Sequence, residues 1–187
     1  MNRHGFLVAL AVAFSGSILM TGSVAAQESN GSSTLSAEVQ AALANAEKEV
    51  EAARVAIDKG KQLLSTIPED SPLMPDVAQV IQAASDNWKI AVDSLKGAQD
   101  SAAKIETASN ESVAADYALL SRVNAGVAVS GAKVVQIAIT YIEAIAANKT
   151  ESLSVIRTAL QDAIAASSQV QFNYDRVKTL IAQKYSK

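Results

Sequence analysis

The chain has 187 residues, with 16 basic and 19 acidic side chains, a formal net charge of −3 and no cysteine. A mild acidic excess without a clustered basic surface argues against nucleic acid as a partner. Because disulfides are excluded, a folded domain of this length must depend on its apolar core for stability.

The first 26 residues have the features of a secretory signal peptide. A short basic region precedes an apolar stretch over residues 6–20, and small residues follow at positions 24–26. The apolar stretch is shorter than a membrane span and is interrupted by Gly and Ser, which favours cleavage over a retained anchor. We therefore expect export to the periplasm or the extracellular space, with a mature chain that starts at Gln27.

The first predicted helix follows a polar stretch, residues 27–34, that is rich in turn formers and predicts a disordered leader. From about residue 36 to 67, apolar residues recur at alternating steps of four and three, which predicts an α-helix with one buried stripe. Ser36 is the expected N-cap, and three prolines between residues 68 and 75 end the helix. The stripe consists of Val39, Leu43, Ala46, Val50, Ala53, Ile57, Gly60, Leu64 and Ile67.

The second helix is predicted over residues 76–106, with the same heptad spacing. Asp86, Asp93 and Asp100 recur on it at seven-residue steps and therefore share one stripe. Such a row either holds a metal ion or a sugar or is a solvated face, and the interleaved lysines favour the solvated face. The apolar stripe consists of Val77, Ile81, Ala84, Trp88, Ala91, Leu95, Ala98, Ala102 and Ile105.

The third helix is predicted over residues 112–147, after a turn in which Ser109 or Asn110 is the expected cap. It is the most apolar of the four segments, so we expect it to be the most buried. Its stripe consists of Leu120, Val123, Val127, Ser130, Val134, Ile137, Tyr141 and Ala144.

Residues 123–147 of this helix allow a second interpretation. Gly126 and Ser130 are small residues four apart, a spacing typical of helices that pack closely in membranes. The segment could therefore insert into lipid, as in helical pore-forming toxins. Lys133 and Glu143 oppose this, because each charge costs ~2.5–3.5 kcal/mol near a bilayer centre. We favour a buried helix of a soluble bundle.

The fourth helix is predicted over residues 151–184, with Thr150 as its cap. Short connections make sequential helices antiparallel, so the expected fold is all-α, an antiparallel up-down-up-down four-helix bundle. In that fold the acidic start of the first helix and the basic end of the fourth should be neighbours. A coiled coil between chains is the alternative, but four segments in one chain can satisfy each other. The fourth stripe consists of Leu153, Ile156, Leu160, Ala163, Ser167, Val170, Tyr174, Val177 and Ile181.

The residue types that carry most bundle chemistry are missing. His4, the sole histidine, is lost with the predicted signal peptide, and there is no cysteine. Haem ligation, di-iron centres, blue copper and the usual zinc sites therefore have no ligands, and Cys–His or Ser–His nucleophiles are excluded. No phosphate-binding glycine motif occurs. We expect no enzyme activity, no metal site and no cofactor.

Trp88 is the strongest candidate for a functional residue. It is the only tryptophan and stands at a stripe position, while the other helices place small residues such as Ser130 and Ser167 at a similar height. The ring either fills the space left by these small residues or forms one wall of an apolar pocket with hydroxyl groups. We favour the ring as filler, with a serine as acceptor for the indole N–H.

These observations predict a non-enzymatic protein of the cell envelope or extracellular space, acting in protein–protein interaction or in a structural role. The alternatives are a carrier of a small apolar ligand held near Trp88, and a membrane-active protein that uses residues 123–147. The pattern does not distinguish a monomer from a homo-oligomer.

Overall fold

The computed structural model of the protein describes residues 31–186, with side chains from Leu35 onward. The predicted signal peptide and residues 27–30 of the predicted leader lie outside this range. The described residues form four long α-helices and one 3₁₀ turn, Thr150–Ser152, without strand, which confirms the all-helical fold class. The helices are α1 (Gly31–Leu64), α2 (Met74–Ala103), α3 (Glu111–Ala146) and α4 (Leu153–Tyr185).

The helix ends follow local chemistry, with two departures. Asn110 caps α3, since its side chain accepts a hydrogen bond from the Val113 N–H at 3.0 Å. By contrast, α1 already begins at Gly31, so Ser36 lies inside the helix and part of the predicted leader is helical. Adding residues to a helix that is already nucleated is less costly than starting one, which explains the earlier start. Thr150 does not cap α4 but opens the 3₁₀ turn that precedes it.

The chain turns tightly between α3 and α4. Asn148 has a positive φ of 53°, the left-handed conformation that commonly ends a helix and that asparagine tolerates well. The N–H of Lys149 donates to the carbonyl of Ala144 at 2.8 Å and so satisfies one of the free carbonyls at the end of α3.

Helix α3 lies at the centre and packs against each of the other three. Toward α2 it is antiparallel, because Ser121 Oγ donates to the carbonyl of Ala98 at 2.8 Å while Gly131 lies beside Asn87. Toward α4 it is also antiparallel, and toward α1 it is parallel. The pairs that show this are Ser130–Ser167 and Asp116–Lys184 for α4, and Gln136–Glu49 and Glu143–Lys59 for α1.

The expected contact between α1 and α4 is wrong, since these helices do not pack against each other. The acidic start of α1 and the basic end of α4 pair with α3 instead. Arg122 donates to Glu38, and Lys184 donates to Asp116 at 2.7 Å. The reason is the composition of α3, which is apolar around most of its circumference and therefore buries the most surface when helices surround it.

The buried stripes agree with the heptad pattern on α1 and depart from it on α2. Ala46 and Ala53 of α1 are fully buried. On α2, Ile81 is 38% exposed and Trp88 is only partly buried, while Asn87 is buried in its place. Because α2 packs mainly on α3 and little on α1, its most buried line is turned toward α3.

Candidate binding grooves

The first candidate site is a groove between α1 and α2, called here the α1/α2 groove. The two helices lie side by side with little mutual packing, so the side chains of α3 form the floor between them. It is half open to solvent and holds about 360 Å³. Its lining consists of Arg54, Ile57, Asp58, Gly60, Lys61 and Leu64 of α1, Ile81, Ala84, Ser85 and Trp88 of α2, and Ile139 and Ile142 of α3.

Trp88 is one wall of this groove, and the structure separates it from the serines with which the sequence grouped it. Ser130 and Ser167 do lie together, with their hydroxyl oxygens 3.5 Å apart, but beside Asn87 rather than beside Trp88. The indole packs partly against the core and partly faces the groove. Trp88 therefore does not fill the space beside those serines.

Asn87 occupies that space, and the sequence reasoning missed it. Its Oδ1 accepts a hydrogen bond from Ser167 Oγ at 3.3 Å, and its Nδ2 donates to the carbonyl of Ala83 at 2.9 Å. Ser130 extends the network from α3. A buried amide must be paired with hydrogen-bond partners, so this network connects α2, α3 and α4 in one register. The sequence does contain a signal for this network. Asn87 is next to a stripe position of α2, and serines occupy the stripes of α3 and α4 at the same level of the bundle.

Charged side chains on α1 line the rim of the α1/α2 groove and neutralise each other. Arg54 binds Glu51 at 2.6 Å and Asp58 at 3.4 Å, and Lys61 lies 3.5 Å from Asp58. Hydrogen bonding to Arg54 lowers the pKa of the Glu51 carboxyl. The groove therefore offers apolar contact area rather than a free charge.

A second groove, the α3/α4 groove, lies on the opposite face of α3. It holds about 300 Å³ and is also half open. Gly126 and Ser130, the predicted close-packing pair, both line it, but Gly126 is exposed and no helix lies against it closely. The lining consists of Gly126, Val129, Ser130, Lys133, Gln136 and Ile137 of α3, and Ala163, Ala166 and Val170 of α4.

Helix α3 has the length and apolarity of a membrane span, yet three helices pack against it. Of its most apolar 18-residue window, 61% is buried inside the protein. Glu143 pairs with Lys59 of α1 at 2.8 Å. Insertion of residues 123–147 into lipid would therefore require α3 to leave three packed helices and to break this ion pair.

The aspartate row on α2 forms a solvated face. Asp86, Asp93 and Asp100 are all exposed, and Asp86 accepts a hydrogen bond from Gln82 at 2.8 Å. Between residues 31 and 186, no three acidic or metal-binding side chains come together as a metal site would require.

Asp116 connects α3 to the end of α4. Its Oδ2 accepts from Lys184 at 2.7 Å and from the Tyr185 hydroxyl at 2.6 Å. Burial by itself raises the pKa of this carboxyl, but the hydrogen bonds from Lys184 and Tyr185 outweigh burial, so the pKa lies below its ordinary value. A pKa lowered by folding stabilises the folded state above the unfolded pKa, and this contribution is lost as the pH falls through the folded value.

We therefore expect Asp116→Asn to lower the urea midpoint at about pH 6, and the difference from wild type to shrink below about pH 4. Urea unfolding at both pH values measures this. Asp70→Asn, at an exposed carboxylate in the loop between α1 and α2, is the matched control and should leave both midpoints unchanged. If Asp116→Asn lowers the urea midpoint equally at both pH values, the ionised Asp116 carboxylate is not the source of the stabilisation.

Trp88→Ala should destabilise the protein by about 2–3 kcal/mol. The ring packs on the core, but part of it already faces the groove, so the loss should be below the ~3–5 kcal/mol of a fully buried aromatic. Trp88 emission should be quenched by acrylamide to an intermediate degree. If acrylamide does not quench Trp88 at all and Trp88→Ala lowers the free energy of unfolding by about 5 kcal/mol, the groove is closed in solution.

No protein-family model, curated protein or solved structure matches this sequence.

Proposed function

We propose that the protein is an exported, non-enzymatic helical-bundle protein that acts by binding a partner protein in the α1/α2 groove. The proposal includes a cleaved signal peptide and an up-down-up-down order of the four helices in the mature chain. The observation that carries it is an exposed apolar row on α2. Ile81, Trp88 and Val92 follow one another at steps of seven and four, so they share one helix face. Ile81 and Val92 are 38% and 40% exposed.

The shape of the groove favours a helical occupant. Two roughly parallel walls with an apolar floor accept one face of an amphipathic helix, which inserts apolar anchors at i, i+3, i+4 and i+7. Aromatic residues at such surfaces contribute a large share of binding energy, and Trp88 is placed to do so. Since the charges of the rim are already paired with each other, the occupant needs an apolar face more than a net charge.

An apolar-ligand carrier at Trp88 is the second candidate, and the position of the two serines weighs against it. A ligand site needs a few polar groups that fix the orientation of the ligand, and Ser130 and Ser167, which were expected to supply them, lie beside Asn87 instead. The two candidates differ in an easy measurement. A carrier should show a rise in melting temperature with apolar fluorophores and a change in Trp88 emission, and Trp88→Ala should abolish both.

Site-specific photo-crosslinking tests the interaction function. A photoreactive residue at Ser85, an exposed position on the groove wall, should link the protein to one discrete partner in extracts of its source cells. The same residue at Ser168, exposed on α4, is the matched control and should not. Ile81→Glu should abolish the Ser85 product, because a carboxylate would have to be buried beneath the partner. Equal products from both positions, or a Ser85 product that survives Ile81→Glu, would contradict the proposal.

A further inference from the structure

Lys133 is an isolated charge in the α3/α4 groove. Between Arg122 and Glu143 it is the only charged residue of α3. It is exposed and lines the groove, and none of the ion pairs formed among residues 31–186 includes it. The carboxylate of Glu49, on the neighbouring α1, accepts from Gln136 at 3.0 Å instead. In the sequence this lysine was noted on the most apolar helix, but no binding role was assigned to it.

The surface next to Lys133 is almost entirely apolar. Val129 and Ile137 lie one turn to either side of it on α3, and Ala166 and Val170 face them from α4. Nothing among the described helices covers this surface, because α1 and α4 do not meet across α3. Ser130 Oγ lies 2.9 Å from the Val127 carbonyl of its own helix and 3.5 Å from Ser167 Oγ, so it has partners within the protein, and Lys133 is the charged side chain that lines the groove.

The geometry points to a binding site for a single-chain anionic amphiphile, a long-chain carboxylate, with its head group on Lys133 and its alkyl chain along the α3/α4 groove. An alkyl chain gains affinity from each methylene that leaves water, about fourfold per CH₂. The size suits one chain, because the groove holds about 300 Å³. The single ammonium suits a singly charged head, since a phosphate dianion is usually held by several donors or by a helix N-terminus.

This site is distinct from the proposed partner groove. Ile139 and Ile142 form the floor of the α1/α2 groove, whereas Gly126 and Ile137 belong to the opposite face of α3. The two grooves also differ in charge, because Lys133 is unpaired among the described residues while Arg54 and Lys61 have carboxylate partners. The inference therefore stands or fails independently of the partner protein.

Calorimetric titration with decanoate and with 1-decanol tests the inference. Protein is expressed from the full sequence and purified from the exported fraction, as wild type and as three variants. Lys133→Gln removes the charge, and Lys96→Gln, at an exposed lysine of α2, is the matched control. Ala166→Phe fills the groove with a ring.

We expect decanoate to bind the wild type and Lys96→Gln equally, and to bind Lys133→Gln about twofold to fivefold more weakly, the range of an exposed ion pair. Decanol should not distinguish Lys133→Gln from the wild type, and Ala166→Phe should weaken both ligands at least tenfold. Trp88 emission should stay constant throughout, because the indole faces the other groove.

Four results would overturn the inference. The first is the absence of decanoate binding, and the second is equal decanoate affinity of the wild type and Lys133→Gln. The third is a saturable change in Trp88 emission that follows binding, which would place the ligand in the α1/α2 groove. The fourth is adsorption to phosphatidylglycerol vesicles without binding of free decanoate, which would assign Lys133 to a membrane surface.

Discussion

Ala53→Asp should destabilise the protein by roughly 4 kcal/mol or more, because it buries a charge without a partner. Ala53 is fully buried on the face of α1 that packs on α3, within the hydrophobic core. A carboxylate there would lose its hydration, and the apolar side chains of the core cannot donate hydrogen bonds to it. Urea unfolding followed by circular dichroism measures the loss.

The pH dependence of this variant separates charge from size. Burial raises the pKa of a carboxyl above its unfolded value, so the penalty of the charge is absent below the unfolded pKa and grows as the pH rises. The deficit relative to wild type should therefore shrink toward about pH 4. Ala53→Asn, of similar size without a charge, should show a constant deficit. Glu51→Ala, at an exposed ion pair on the same helix, should leave the midpoint almost unchanged. Equal effects of Ala53→Asp and Glu51→Ala would mean that this face of α1 is not buried.

Gly131→Ala should destabilise by about 2–3 kcal/mol, although alanine favours helices by about 1 kcal/mol over glycine. A Cβ at Gly131 would lie 2.8 Å from the carbonyl oxygen of Asn87 and 3.3 Å from both the Cβ and the N of Ala91. The nearest obstacle is backbone, which cannot turn aside as a side chain can. The added methyl group must therefore move α2 away from α3.

Gly126→Ala is the matched control on the same helix. A Cβ there meets only Val170 Cγ1, at 4.0 Å, so the substitution should stabilise the protein by up to about 1 kcal/mol through helix propensity alone. Thermal unfolding of the two variants in parallel gives the comparison. If both substitutions stabilise the protein equally, α2 and α3 must lie further apart in solution than the close approach at Gly131 implies.

Periodicity accounts for what the sequence predicted correctly. On α1 every stripe position is buried or partly buried, because this helix packs along one line on α3 and a heptad stripe describes one line. The Asn110 cap was predictable for a similar reason, since a cap depends on a few consecutive residues. The α3/α4 groove was not predicted, because Gly126 and Ser130, which line it, were interpreted as a close-packing pair, whereas Gly126 is exposed.

Periodicity failed where a helix has more than one neighbour. Trp88 and Asn87 are adjacent in sequence, and the choice between them as the inward residue is a rotation of 100°. The apolar ring would be the default choice for the core, yet Asn87 is buried because Ser167 supplies a hydrogen-bond partner from α4. That partner is 80 residues away, so no local pattern could identify it.

The sequence by itself determined the helical class, the approximate boundaries of the helices and the burial of α3. It also shows that the described part of the chain contains no histidine or cysteine. These properties depend on composition and on short-range spacing. Only the tertiary structure decided that α3 is central, that α1 and α4 stay apart, and that Trp88 and Lys133 face two different grooves. The physical reason is that an apolar stripe shows only that one face of a helix must be covered. Which helix covers it is decided by close approach at residues such as Gly131 and by hydrogen bonds of buried polar groups such as Asn87. Both depend on residues that are distant in the chain.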